Sequence, residues 1–115
     1  MSNQELPVIR KTYDLALWAC RHVGRFPRQH RFVLGEYMER RLYNPLETLL
    51  QAHYTKDRQP LLRQANLTLE VLRFQVRLAH DLQCLRTNSY GFASELLQEI
   101  GRMVGGWLKA SGGRG

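Results

Sequence analysis

The chain has 115 residues, 43% apolar and 23% charged, the balance of one ordinary globular domain, which excludes wholesale disorder, collagen-like repeats and a disulfide scaffold. Seventeen Lys and Arg face ten Asp and Glu, for a net charge of +7, and that excess favours a polyanionic partner, with nucleic acid the leading candidate. Only Lys11, Lys56 and Lys109 are lysine, so 14 of the cations are arginine, whose planar fork pairs with phosphate through two parallel hydrogen bonds.

Apolar residues recur at helical spacing along the whole chain and strand-like alternation is lacking, so the pattern predicts an all-α domain over 1–110 with a flexible tail at 111–115. The first helix is predicted over about 8–25: Pro7 suits a helix start, Ile9, Tyr13, Ala16, Cys20 and Val23 share one face, and Gly24 and Pro27 stop it. The second, about 30–55, carries Phe32, Gly35, Met38, Leu42, Leu46, Leu49 and His53 in one stripe. Pro45 interrupts it, and a proline there predicts a kink or two shorter helices meeting around Asn44.

The third helix is predicted over 60–86, from Pro60 onward without an internal breaker. It bears two apolar seams. Leu62, Ala65, Leu69, Leu72, Val76 and Ala79 form one, and Leu67, Val71, Phe74, Leu78, Leu82 and Leu85 form another on a different side. Inside a four-helix bundle one seam faces the core, while the other packs on an adjacent helix or on a neighbouring subunit. Thr87, Asn88, Ser89 and Gly91 read as a turn, and a fourth helix is predicted over 91–110 with Phe92, Leu96, Ile100, Met103 and Trp107 in line. Gly101, Gly105 and Gly106 weaken that helix, so a close helix approach is expected to compensate.

Catalytic patterns are sparse. Cys20 and Cys84 lie far apart and outside any C-x-x-C spacing, so no zinc or redox motif is readable and both are expected to stay reduced. The residues three before His22, His30, His53 and His80 are Ala19, Pro27, Leu50 and Arg77, which removes a Glu-x-x-His di-iron bundle. HExxH, phosphate-binding Gly loops and GxSxG are missing too, so no catalytic residue, metal, cofactor or small-molecule substrate is expected. His53 reads as a hydrogen-bonded packing residue. The N-terminus lacks the apolar stretch of a secretory signal, and no run reaches the ~18 apolar residues of a membrane span, so the expected location is the cytoplasm.

Two features of residues 21–41 carry the functional reading. Arg25 and His30, with four residues between them in Arg-Phe-Pro-Arg-Gln-His, resemble the ribonuclease motif of HEPN domains, in which the arginine would stabilise a pentacoordinate phosphate and the histidine exchange the 2′-hydroxyl proton. The broader feature is charge: Arg21, Arg25, Arg28, Arg31, Arg40 and Arg41 stand against Glu36 and Glu39, a local excess of four. Arg73 and Arg77 add cations between the two seams of the third helix, near Glu70 and Asp81. Phosphate contact is expected of these eight arginines, and solvated or salt-bridged roles of Arg63 and Arg102. Only Tyr37, Tyr43 and Phe26 offer aromatic platforms nearby, so backbone contact is expected over base readout.

The stretches LPVIRKTYDL (Leu6 to Leu15), RFPRQHRFVLGE (Arg25 to Glu36), LRQANLTLEVLRFQVRLAHDL (Leu62 to Leu82) and LLQEIGRMVGGWLK (Leu96 to Lys109) together resemble the accessory variability determinants, Avd, of diversity-generating retroelements. The four-helix-bundle proteins of rRNA intervening sequences look like a sister group. The resemblance implies an antiparallel four-helix bundle that assembles into a pentameric barrel, has no catalytic activity, and binds the element's reverse transcriptase and template RNA or cDNA. It would thereby support mutagenic reverse transcription. Arg25, Arg28, Arg31, Arg73 and Arg77 are the basic positions that match. Pro45 departs from the unbroken second helix expected of Avd, while the rRNA-encoded group carries a proline in its comparable stretch, so an rRNA-binding bundle stands as one alternative, and the Arg25 to His30 spacing leaves a HEPN-like nuclease as another.

Overall fold

Pro7 opens the first helix in the computed structural model, which describes residues 6–112. Its missing N–H falls where a helix leaves amides unbonded, and α1 spans Pro7–His22. Its buried face is Val8, Ile9, Thr12, Leu15, Ala16, Trp18 and Ala19; of the expected stripe Ile9, Ala16 and Val23 are buried, while Tyr13 and Cys20 are exposed. Thr12 explains the difference. Its hydroxyl donates to the Val8 carbonyl at 2.6 Å, which lets a polar residue enter the core without leaving a group unsatisfied.

The connection that follows is helical but irregular: a 3-10 turn at Val23–Arg25, one α turn at Arg28–His30 and a π turn at Arg31–Gly35, which leads into α2 (Glu36–His53). Phe26 is 1% exposed and plugs the core, so it is not the stacking platform its place in the sequence suggested. A Cβ on Gly35 would lie 3.3 Å from Val23 Cγ1 and 3.6 Å from Phe26 Cδ2. The π turn therefore packs closely on the 3-10 turn, where a side chain at position 35 would press on Val23. Because a π turn inserts an extra residue, it shifts the phase of the stripe, and Phe32, expected inside, is 66% exposed.

Helix α2 continues through Pro45 and does not divide near Asn44. Pro45 is buried on the inner face with Met38, Leu42, Leu49 and Ala52, and it withholds the amide that would bond the Arg41 carbonyl, a defect of roughly 3 kcal/mol that tertiary packing must offset. The Asn44 side-chain oxygen accepts from the Thr48 hydroxyl at 3.3 Å and from the Thr68 hydroxyl of the next helix at 3.5 Å. His53, expected to pack inside, is exposed and meets Tyr54 edge-on at 4.6 Å.

Helix α3 (Gln59–Asp81) buries its whole first seam, Leu62 to Ala79. It stops five residues short of the expected 86. Gln83 adopts φ 65, its N–H bonds the His80 carbonyl at 2.9 Å and the Cys84 N–H bonds the Ala79 carbonyl at 2.8 Å, the hydrogen-bond pair of a Schellman terminus. Leu85 thus reaches the core from a turn, and its place in a helical seam is accidental. A left-handed glutamine carries a strain of roughly 1–2 kcal/mol, so Gln83→Gly, though more flexible when unfolded, is expected to raise stability by about 0.5–1 kcal/mol in a denaturant titration.

Helix α4 (Thr87–Gly112) begins four residues before the expected position, because Thr, Asn and Ser suit a helix's opening as well as a turn. Residues 111 and 112, assigned to the tail, are helical, and 113–115 lie outside the described residues. Cβ atoms built on Gly101, Gly105 or Gly106 would meet nothing within 4 Å, so the close approach expected to compensate them is not made within the protomer.

The four helices close on one core, each packing on its two neighbours in the cyclic order α1, α2, α3, α4. Short connections alternate their directions, giving an antiparallel four-helix bundle of 46 × 29 × 22 Å. This order places the connections 23–35 and 82–86 at one end. At the other, Gln59 Nε2 donates to the Leu108 carbonyl at 3.0 Å and the Arg58 guanidinium stands 5.7 Å from the Trp107 ring centre. No strand is present, and no helix is long and apolar enough to cross a membrane, among the described residues.

Candidate nucleic-acid interface

Arginines on a helix surface either pair with carboxylates, which neutralises them, or stay open to a ligand. Of the eight candidates, only Arg73 has an acidic partner among the described residues: its Nη1 lies 3.7 Å from Glu70 Oε1, a long and exposed contact. Arg21, Arg25, Arg28, Arg31, Arg40, Arg41 and Arg77 make no ion pair with the described residues. All but the half-buried Arg41 are exposed. The acidic residues are occupied elsewhere or lie apart. Glu99 pairs with Lys11 at 3.2 Å, and Glu39 accepts from the Tyr43 hydroxyl at 2.5 Å.

The helices distribute these cations over three grooves and one end of the bundle. Arg21 lines a cavity of about 410 Å³ between α1 and α4. Arg40 and Arg41 line one of about 370 Å³ between α2 and α3, with Tyr37 and Asn44. Arg73 and Arg77 line the groove between α3 and α4 with Phe74, Tyr90 and Gln98. Arg25, Arg28 and Arg31 sit on the irregular connection, outside these grooves. The run from Arg21 to Arg41, continuous in sequence, is therefore divided in space, and Arg40 with Arg41 turns to a different side from Arg21.

Connectivity gathers another set. The up–down order brings Arg21, Arg25, Arg28 and Arg31 to the same end as Arg77 and Arg86. Arg86 immediately precedes α4 and is exposed, whereas periodicity alone places it inside the third helix. The available signal is the Thr-Asn-Ser run, which as a helix start returns Arg86 to that end. Arg102, assigned a solvated role, lines the α3–α4 groove next to Arg73. Arg63 donates to Gln59 Oε1 at 2.6 Å.

Tyr37 is 59% exposed beside Arg40 and Arg41 and can stack on a base. Tyr43 cannot serve as freely. Its hydroxyl lies 3.2 Å from the Cys20 thiol and donates to Glu39. Those two hydrogen bonds, the Cys20 one first, hold its proton well above the usual phenol range. Arg25 and His30 occupy consecutive turns of the connection, with His30 Nε2 3.3 Å from Gln29 Nε2. Among the described residues, no three His, Cys, Asp or Glu side chains converge as they would around a metal ion.

The outer seam of α3 lies open: Leu67, Phe74, Leu78 and Leu82 are all exposed and Val71 is half-buried. The family model described as bAvd-like matches residues 7–111. No curated protein matches the chain.

Proposed function

The chain belongs to the bAvd-like family and is an Avd-type accessory protein; from this premise we propose that it binds the reverse transcriptase of a diversity-generating retroelement, together with template RNA or cDNA, and does so without catalysis. The observation that carries the nucleic-acid part is the set of seven arginines with no carboxylate partner among the described residues. An unpaired guanidinium can neutralise a phosphate and displace the counterions condensed on it, and their release drives binding. The protein would act in the cytoplasm, where the element is transcribed and copied.

Assembly is part of the proposal. The open seam of α3 and the uncovered glycines of α4 are surfaces the protomer leaves without partners, and contacts between subunits would use both. A ring of five copies at +7 each would concentrate about 35 positive charges on one particle. Mixing the purified chain with the reverse transcriptase encoded beside it and separating the mixture by size tests the partnership. Co-elution is expected, and independent elution at micromolar concentrations contradicts it. An rRNA-binding bundle would lack a neighbouring polymerase, and a HEPN-like nuclease would cut RNA in a His30-dependent way; incubated RNA is expected to stay intact with the unmodified chain and with His30→Ala alike.

A further inference from the structure

The cleft between α1 and α4 is graded along its length. At the connection end stand Arg21 and His22, with Asn88 and Ser89 from the opening turn of α4. That turn contributes more than side chains: Tyr90 N–H makes the bond to the Arg86 carbonyl at 2.9 Å, so the amides of Thr87, Asn88 and Ser89 precede the helical ladder and favour an anion. About 10 Å further down α1, seven residues at 1.5 Å each, stands Asp14. Between the two ends lie apolar walls, Trp18 and the half-exposed Phe92.

The walls hold their polar groups in fixed places, with Arg21 and His22 at one end and Asp14 at the other. Trp18 is 3% exposed and forms the closed floor between them. His22 is fixed against it, stacked at 4.9 Å with Nδ1 2.9 Å from the Trp18 carbonyl, which leaves Nε2 for a ligand. We infer that this cleft takes one nucleoside monophosphate unit, an unpaired residue of an RNA strand. Its phosphate lies by Arg21, His22 and the α4 amides, its base against Phe92, and an amino-bearing base edge donates to the Asp14 carboxylate.

The assignment rests on the RNA-binding reading for the source of the nucleotide, and the test separates the two. In the full chain carrying Trp107→Phe, Trp18 is the single tryptophan, and its fluorescence is followed while adenosine 5′-monophosphate, inorganic phosphate, a short polyadenylate strand or an RNA duplex is added. The monophosphate is expected to change the emission saturably, the strand to do so at lower concentration, and inorganic phosphate and the duplex to leave it unaltered. Phe92→Ala and Arg21→Ala, both at exposed positions, should each weaken the effect about tenfold or more. Silence towards the monophosphate and the strand, or a response that Phe92→Ala leaves unchanged, overturns the cleft as a nucleotide site. A response to the monophosphate but not to the strand overturns the RNA source.

Discussion

Alanine at Arg25, Arg28 and Arg31 together is expected to flatten the log–log salt dependence of RNA binding by about two to three, at about 0.7–0.9 for each phosphate that is no longer neutralised. At physiological salt this corresponds to an affinity decrease on the order of a hundredfold. The three side chains are exposed and without ion-pair partners among the described residues, so their removal leaves the core intact and stability should change by less than about 0.5 kcal/mol. Arg63→Ala is the control, because Arg63 stands near the start of α3, at the opposite end of the bundle from the connection, and its removal should barely alter the slope. An unchanged slope in the triple variant would remove the connection 23–35 from the interface.

Leu67→Glu with Phe74→Glu is expected to reduce an assembled particle to the 13.5 kDa protomer as seen by light scattering, with helicity retained. Leu67 is 67% and Phe74 59% exposed in the protomer, so neither change disturbs its core. In an assembly each side chain would be buried at a gain of about 1.5–3 kcal/mol, and two carboxylates placed there would have to be desolvated without partners. A monomeric unmodified chain, or an assembly indifferent to both charges, would refute the role given to the outer seam of α3.

The fold is legible where pattern and packing obey one rule. The first seam of α3 is apolar at every buried position, from Leu62 to Ala79, and helical periodicity alone identifies it. Legibility fails where a polar or special residue sits inside: Thr12 is buried through its bond to Val8, Pro45 is buried on the inner face of α2, and each hides a stretch of the true stripe. It fails again where local geometry changes the count. The π turn at Arg31–Gly35 moves Phe32 outward, and a left-handed Gln83 ends α3 without the glycine that normally announces such a stop. The candidate arginines are identifiable as residue types, but their grouping is not, because neighbours in sequence face different grooves and only the up–down connectivity brings Arg86 towards Arg25. The outer seam is readable as apolar, and only the bundle shows that no helix of the protomer covers Leu67 and Phe74.

Whether guanidinium groups hold the client is tested most directly by titrating the unmodified chain with RNA across a series of salt concentrations. With between three and seven unpaired arginines engaged, log affinity against log salt should fall on a line of slope about −2 to −5. Binding that stays level as salt rises would contradict an interface made of those side chains.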